Sequence, residues 1–153
     1  MAIDSRQKGA RGEATVCRKL KALTDYDWER TPLSGALDAK HLLKGDVYIP
    51  DVNNVFCVEV KFYAEDHLSS TILGNKTNKI REWWLQTIRE ASQVHKEPLL
   101  IYLWSYSKHI YVATAREPAH VSTYIKVSLN GTGSFYIMML EDWIMGENPV
   151  WAT

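Results

Sequence analysis

The sequence predicts an α/β protein with a mixed central β-sheet flanked by helices. Residues 9–23 and 79–94 carry apolar side chains at three- and four-residue intervals, the period of a helix packed on one face. Residues 55–62 alternate between apolar and polar side chains, and residues 98–105 are nearly all apolar, as in the middle of a sheet. The order of helix, three strands, helix and further strands indicates an α/β sandwich built around that sheet.

The first helix carries an acidic residue on its apolar stripe. Val16, Cys17 and Leu20 mark the stripe, and Glu13 precedes them at helical spacing. The carboxylate of Glu13 should therefore point toward the sheet, and the cost of burying an unpaired carboxylate predicts a counter-charge or a metal ion beside it. In the alternative interpretation, Glu13 lies near the start of the helix and complements the helix dipole.

A strand and a loop follow the first helix, and the loop contains two candidate site residues. Residues 26–31 predict the strand, which ends at Pro32, and residues 33–44 predict the loop. Ser34 and Lys40 lie in this loop. Considered by itself, Ser34 is a hydroxyl residue of the kind that stabilises turns.

The next two strands predict an antiparallel hairpin. Residues 46–50 and 55–62 flank a turn-forming segment, Asp-Val-Asn-Asn, that folds the chain back. Asp46 begins the first of these strands and Glu59 lies in the second. The hairpin therefore brings the two carboxylates within reach of each other.

Glu59 and Lys61 share one face of their strand. They lie about 6.6 Å apart along it, at about 3.3 Å per residue, so both can reach one phosphate. Asp46 and Glu59 would form an all-oxygen site together with a backbone carbonyl, which we take to be that of Val60. Such a site is suited to Mg²⁺. Lys61 would position the attacking water or stabilise negative charge on the phosphate. The alternative is a solvent-facing Glu–Lys pair on a half-exposed hairpin.

The second helix, residues 79–94, has its own apolar stripe of Ile80, Trp84, Ile88 and Ala91. Trp84 is expected in the core. Trp83 lies beside the stripe, where it would pack as a partly buried side chain, cover a dimer interface or stack on a DNA base. Further strands are predicted at residues 98–105, 109–113 and 133–140, and a short helical turn at residues 141–145.

Taken together, these motifs resemble the PD-(D/E)xK nuclease superfamily and, within it, the archaeal-type and phage Holliday junction resolvases. The resemblance implies a restriction-endonuclease-like αβββαβ core. It also covers the second helix, with Trp84 and Gln86, and the strand PLLIYLW. The other matching segments are RQKGARGE at 6–13, ERTPLSGALD at 29–38, GDVYIP at 45–50 and VEVK at 58–61.

The resemblance assigns a role to each polar residue of these motifs. It implies that Glu13 is the helix acid, Asp46 and Glu59 are metal ligands, and Lys61 is the catalytic lysine. It also implies a Mg²⁺ cofactor, for which Mn²⁺ substitutes.

Two further residues enter through the resemblance alone. Ser34 corresponds to the serine that such resolvases place near the scissile phosphate, and Gln86 to a helix glutamine beside the active site. The chain also departs from the family pattern: Gly45 precedes Asp46 where Pro-Asp is usual, and the loop at residues 63–78 is longer and more polar.

Length and composition bound the class of protein. The chain has 153 residues and 46% hydrophobic content, which fits one folded domain and excludes a disordered chain. With the resemblance, residues 1–153 are expected to form a single nuclease domain. No apolar run is long enough to span a bilayer or to serve as a signal peptide, so an intracellular, cytoplasmic protein is expected. Cys17 and Cys57 lack metal-ligand spacing and are expected as buried thiols, and the histidines form no close cluster, which argues against a zinc site.

Net charge is zero, but its distribution is uneven. Residues 1–21 hold six basic groups against two acids, whereas residues 117–153 hold one Lys against four acids. A flexible basic arm at residues 1–8 would bind phosphates without sequence preference; alternatively, these charges are solvated on an ordinary helix. The predicted DNA-binding residues are Arg6, Lys8, Arg11, Lys40, Lys76 and Lys79.

The leading functional prediction is a Mg²⁺-dependent endonuclease that cuts four-way DNA junctions as a homodimer. A twofold protein matches a substrate with two opposed strands, and its interface would bury aromatic residues such as Trp83, Tyr102 and Trp104. The alternatives are a restriction or repair nuclease that acts on duplex DNA and a non-catalytic DNA-binding dimer. A comparison of the cleavage of a junction with that of a linear duplex distinguishes the first alternative from the leading prediction. Loss of cleavage in Asp46→Asn would distinguish a nuclease from the second alternative.

Overall fold

The computed structural model describes residues 5–32, 44–64, 70–73, 78–129 and 133–153, apart from the side chains of residues 5–7, 70 and 71. Three α-helices occur in this part of the chain: α1 (Ser5–Thr24), α2 (Lys79–Gln93) and α3 (Leu140–Glu147). The seven strands are β1 (Glu29–Arg30), β2 (Val47–Tyr48), β3 (Phe56–Tyr63), β4 (Glu97–Trp104), β5 (Tyr111–Thr114), β6 (Ile125–Leu129) and β7 (Gly133–Met139). A 3-10 turn spans Ser70–Leu73.

All seven strands form one sheet in the order β1-β2-β3-β4-β5-β7-β6. The central pair, β3 and β4, is parallel, and the other neighbours are antiparallel, which confirms the predicted mixed α/β sheet. The predicted hairpin is also present, with Val47 opposite Val58. Because β3 and β4 run in the same direction, their carboxyl ends lie at the same edge of the sheet.

The two faces of the sheet carry separate parts of the core. Helix α1 packs on one face, where Val16 and Leu20 join a cluster with Val58 and Val60 of β3. Helix α2 packs on the other face, where Trp84 joins a second cluster. The alternation of β3 therefore directs its valines toward α1 and leaves Cys57 against α2. Cys17 and Cys57 are both free and buried, as predicted.

Several element boundaries differ from the prediction. Helix α1 starts at Ser5, so residues 5–8 of the segment expected as a flexible arm are helical. Strand β1 contains only two residues, since its pairing with β2 is limited to Glu29 and Arg30. Strand β6 was not predicted, because it is an edge strand in which only Val127 and Leu129 are buried.

The buried stripe of α2 is also different from the predicted one. Ile88 is 37% exposed, whereas Thr87 is fully buried. An α-helix has about 3.6 residues per turn, so the position two turns after Ile80 is Thr87 and not Ile88. Trp83 is buried as well, at 5% exposure, and stacks on Tyr63 with ring centroids 4.8 Å apart.

Burial within the chain corrects one further expectation. Trp83 and Tyr102 are 5% and 2% exposed in the single chain, so their rings are not available to cover a dimer interface. Trp104 is half-buried and stacks on Tyr111. Of the three aromatic residues expected at an interface, two are therefore buried inside the single chain and the third is half-buried. In the described ranges no helix is both long and apolar enough to cross a membrane.

Gly12 allows α1 to lie close to β3. A Cβ atom at this position would lie 2.5 Å from the Cβ of Phe62, closer than side-chain atoms can approach. Gly9, one turn earlier, has open space around the same position. The two glycines thus share a helix but differ in their surroundings, and the residue after Gly12 is the candidate site acid Glu13.

We expect Gly12→Ala to destabilise the protein by about 1–3 kcal/mol, because the added methyl group must displace Phe62 or the helix. Gly9→Ala is the matched control. It should stabilise the protein by about 0.5–1 kcal/mol, since alanine replaces glycine in an open helix position. Urea unfolding of both variants measures the difference, and equal stability changes would contradict the close packing of α1 on β3.

Candidate active site

Asp46 is held against β3 by two hydrogen bonds. Its backbone N–H donates to the carbonyl of Val58 (2.7 Å), and its Oδ2 accepts from the N–H of Val60 (2.7 Å). Gly45 makes this approach possible, since its φ is +93° and a Cβ there would lie 2.6 Å from the Val58 oxygen. A proline has φ fixed near about −65° and could not adopt this conformation. The departure from Pro-Asp is therefore built into the local backbone.

Glu59 lies in the middle of β3 and is only 5% exposed. Lys61 lies two residues further along the same face, with its Nζ 4.0 Å from Glu59 Oε2. The alternative of a solvent-facing Glu–Lys pair is wrong, because a buried carboxylate is not a surface charge. The alternation of the strand is the sequence signal that places the two side chains together.

Glu13 forms an ion pair with Arg30 of β1, with 2.8 Å between Oε2 and Nε. The side chain of Glu13 is only 16% exposed, so Arg30 is the counter-charge that its position on the apolar stripe predicted. The helix-dipole alternative is wrong. Helix α1 begins eight residues earlier and has no acidic residue in its first turn, whereas the dipole effect is confined to the helix end.

Glu90 is a site residue that the sequence analysis missed. It lies on α2 four residues after Gln86, whose Nε2 donates to Glu90 Oε1 (3.2 Å). It also shares a hydrogen bond with the carboxyl group of Glu59. The signal was available: four-residue spacing places Gln86 and Glu90 on the same helix face. Arg30 was missed as well, because its pairing with Glu13 depends on how β1 docks.

A cleft with a volume of about 560 Å³ brings these groups together. It lies between α1, β3 and α2. The backbone of the cleft wall is contributed by β3, and the helices supply acidic and amide side chains from either side. The residues of chemical interest that line it are Lys8, Glu13, Asp46, Glu59, Val60, Lys61, Gln86 and Glu90.

The carboxyl groups of this cleft are crowded. Burial, together with a hydrogen bond to Glu90 and the charge of Asp46, raises the pKa of Glu59 to about 10. Burial, opposed by the hydrogen bond from Val60, raises the pKa of Asp46 to about 6. Burial alone would also raise the pKa of Glu90, but hydrogen bonds with Glu59 and Gln86 lower it on balance. In the metal-free protein, Glu59 therefore carries a proton that it shares with neighbouring carboxylates.

The donor set fits a hard divalent cation. The N–H of Val60 points toward Asp46, and since the N–H and C=O of a strand residue face the same edge, the Val60 carbonyl faces Asp46 too. In the described ranges, no group of three or more His, Cys, Asp or Glu side chains is already arranged to hold an ion. Mg²⁺ commonly takes only one or two carboxylates and completes its shell with water and phosphate oxygens. Two carboxylates and one carbonyl are consistent with that requirement.

The predicted DNA-binding residues are distributed around this cleft and beyond it. Lys8 lies at its edge, where Nζ donates to Ser105 Oγ (3.2 Å) and lies 5.0 Å from the centre of the Phe62 ring. Arg11 and Lys79 are exposed, and Lys79 pairs with Glu82 (3.5 Å). The predicted residues Ser34, Lys40 and Lys76, and the side chain of Arg6, lie outside the described part of the chain.

Comparisons with known proteins identify the family to which this chain belongs. Residues 4–138 match the model of a family described as phage putative PDDEXK endonuclease. Protein D14 of Escherichia phage T5 is 42% identical over 105 residues, which cover 67% of this chain and 66% of that protein. The aligned region thus spans slightly less than two thirds of the length of this relative.

A solved structure was also found, that of Archaeoglobus fulgidus Hjc, a Holliday junction resolvase from an archaeal hyperthermophile. The alignment covers 90% of this chain and 93% of that chain, with 12% sequence identity and a TM-score of 0.44. A similarity of this size assigns no function. The family model, in contrast, covers most of the chain, including all four motif segments. The chain therefore belongs to the phage PDDEXK endonuclease family.

Proposed function

We propose that this protein is a Mg²⁺-dependent endonuclease that resolves four-way (Holliday) DNA junctions by hydrolysing one phosphodiester bond in each of two opposed strands. The observation that carries the proposal is that Glu13, Asp46, Glu59 and Lys61 line one cleft. Membership of a phage endonuclease family supports the nuclease chemistry. The choice of a four-way junction is supported by the resemblance of the motif segments to junction resolvases.

In this proposal, Asp46, Glu59 and the carbonyl of Val60 hold the metal, with Glu13 as a third acid. When bound there, Mg²⁺ would supply the positive charge that orients the scissile phosphate and lowers the pKa of a water molecule. Lys61 stabilises the negative charge that builds up on the phosphate during attack, since its ammonium group lies beside Glu59 at the cleft surface. Mn²⁺ should substitute, because it accepts the same oxygen donors.

Other polar residues hold these groups in place. Arg30 orients Glu13 through its ion pair. Gln86 binds Glu90, which in turn contacts Glu59, so Gln86 acts on the metal ligand indirectly. We assign Ser34 a position near the scissile phosphate on the basis of the family resemblance.

Basic residues supply affinity for the DNA backbone. Lys8 lies at the edge of the cleft, and Arg11 lies on the same helix. With Arg6, Lys40, Lys76 and Lys79, they would neutralise phosphates, so binding should weaken steeply as salt concentration rises. The acidic cleft then performs the cleavage, while the surrounding cations provide most of the binding energy.

We further propose that one domain, residues 1–153, acts as a homodimer in the cytoplasm of an infected host. A twofold dimer presents two cleavage sites related in the same way as the two opposed strands of a junction. The relationship to a phage protein supports the setting. Sedimentation analysis of the free protein and of its junction complex measures the oligomeric state, and a single chain bound to each junction would contradict it.

We expect Asp46→Asn to reduce junction cleavage by roughly 100-fold or more while junction binding changes little, because the variant removes a metal ligand and leaves the basic surface intact. Glu141→Gln is the control, since this acid is 61% exposed and pairs only with Lys19 in the described part of the chain. Gel assays with labelled four-way junctions measure cleavage and binding of both variants.

The same assay tests the substrate. Wild-type protein should cleave the junction and leave a linear duplex with the same arm sequences uncut. Equal cleavage of the two DNAs would exclude the junction assignment in favour of a duplex endonuclease. Full activity of Asp46→Asn would instead show that the cleft is not the catalytic site.

Glu59→Gln should raise the thermal stability of the metal-free protein at alkaline pH. Because the pKa of Glu59 is about 10 in the folded protein against an ordinary value of 4.5, the folded state binds more protons than the unfolded state between these values. The wild type therefore loses stability as pH rises through this window, and glutamine does not. At pH 8 the variant should melt about 2–4 °C or more above the wild type, the shift produced by ~1 kcal/mol. Below pH ~4.5 the difference should vanish.

Mg²⁺ should bind more tightly as pH rises, because the metal must displace the proton of Glu59. The increase in melting temperature caused by MgCl₂ should accordingly be larger at pH 8.5 than at pH 6. Asp46→Asn provides the control for non-specific salt effects. A Mg²⁺ effect that is independent of pH, or that persists in Asp46→Asn, would argue against Glu59 and Asp46 as ligands.

A further inference from the structure

The hairpin between β4 and β5 stands at the edge of the catalytic cleft. Its first residue, Ser105, donates its N–H to the carbonyl of Tyr63 (2.8 Å) and accepts a hydrogen bond from Lys8 (3.2 Å). Tyr63 and Lys8 both line the cleft. The next residue, Tyr106, is therefore placed beside the opening through which DNA would enter.

Tyr106 is unusual in both exposure and backbone conformation. Its side chain is fully exposed, at 103% of the reference area, and its φ is +65°. In the described ranges, the other non-glycine residues with positive φ are Asp25, Asp51, His95 and Asn148. Those residue types are enriched in this conformation, whereas a bulky aromatic residue is disfavoured there. A strained residue that gains nothing from packing suggests a functional reason for its presence.

The surrounding hairpin holds Tyr106 in this position. Ser107 donates its N–H to the carbonyl of Trp104 (3.1 Å), and its Oγ donates to the carbonyl of His109 (3.0 Å). Below the turn, Trp104 stacks on Tyr111 with ring centroids 5.0 Å apart and planes 7° from parallel. The ring is therefore held on a hairpin that is already ordered, so binding does not have to order this segment.

The residues around the Tyr106 ring indicate the chemical class of its binding partner. Its sequence neighbours are two serines, and exposed Lys108 and His109 follow, so along the turn the ring is flanked by polar and cationic side chains. Such a surface is a poor match for an apolar protein partner, which would need a contiguous patch. It suits single-stranded nucleic acid, which presents flat bases next to a negatively charged backbone.

We infer that Tyr106 stacks on a base that is unpaired or unstacked where the strands of branched DNA separate. This inference rests on the proposed nuclease function and adds to it a residue that distinguishes branched DNA from duplex DNA. In a continuous duplex the bases are stacked on each other and offer no free face. At a branch point a base face is available, and Lys8 can bind the adjacent phosphate while the strand passes toward the cleft.

The test uses two variants of the chain of residues 1–153 and a junction that carries 2-aminopurine at its branch point, whose fluorescence reports stacking. Tyr106→Phe keeps the ring and should bind and quench like the wild type. Tyr106→Gly removes the ring and is compatible with the positive φ, so the hairpin should persist and the melting temperature should not fall. We expect it to bind the junction about tenfold more weakly, the typical loss for one stacked base, and to lose the quenching. Its affinity for linear duplex should be unchanged.

Val150→Ala is the matched control for the loss of an exposed apolar side chain. Val150 is 64% exposed and lies in a groove with Phe56 and Glu97 at the amino ends of β3 and β4, opposite the cleft. It should bind the junction like the wild type.

Three results would overturn the inference. The first is wild-type affinity and quenching in Tyr106→Gly, and the second is an equal loss of affinity for junction and duplex. The third is a change in oligomeric state of Tyr106→Gly on sedimentation, which would assign the ring to a protein contact. A failure of the proposed function can be distinguished from these results, because it appears in the wild-type protein as equal binding and cleavage of junction and duplex. That outcome would remove the basis of the inference as well.

Discussion

The hydrogen bond between the Val60 N–H and the Asp46 carboxylate joins Asp46, at the start of β2, to β3, the strand that carries Glu59 and Lys61. It can form only because Gly45 brings the backbone of β2 against β3 in a conformation that other residues rarely adopt. One side of β3 would otherwise present an unpaired strand edge beyond the two residues of β2. Asp46 occupies that edge, and the remaining groups of the cleft are arranged along the same strand and on the helices packed against it.

The cleft concentrates negative charge that the fold itself does not neutralise fully. Arg30 compensates Glu13, and Lys61 approaches Glu59, but Asp46, Glu59 and Glu90 remain close enough to share a proton. This arrangement costs stability in the absence of a cation and favours binding of one. A polar cavity of this kind is a common feature of functional sites, where ionisable groups depart from their ordinary pKa values.

The sequence predicted the parts of this protein that depend on local periodicity. Alternation in β3 placed Glu59 and Lys61 on one face, the helical stripe placed Glu13 toward the sheet, and the turn residues predicted the β2–β3 hairpin. It failed where position depends on partners distant in the chain. Arg30 meets Glu13 through strand docking, Glu90 meets Glu59 through the packing of α2 on the sheet, and the edge strand β6 has too few buried residues to show a pattern.

The errors in α2 have a similar origin. Counting in steps of four selected Ile88, whereas the sheet contacts the helix at its true period and covers Thr87 and Trp83. The sequence also suggested that aromatic residues were left over for an interface. In the fold, Trp83 and Tyr102 are used to join α2, β4 and β5.

The contact between Gly12 and Phe62 also bears on where a DNA strand would be cut under the proposed function. A helix seated this tightly cannot slide along β3, and the same helix carries both Glu13 and the cations Lys8 and Arg11. Under the proposed function, the separation between the phosphates bound by these cations and the phosphate at the acidic cleft would consequently be fixed by the protein. If the cleft acts on DNA as proposed, α1 works as a molecular ruler, and the incision falls at a constant number of nucleotides from the gripped phosphates whatever the base sequence.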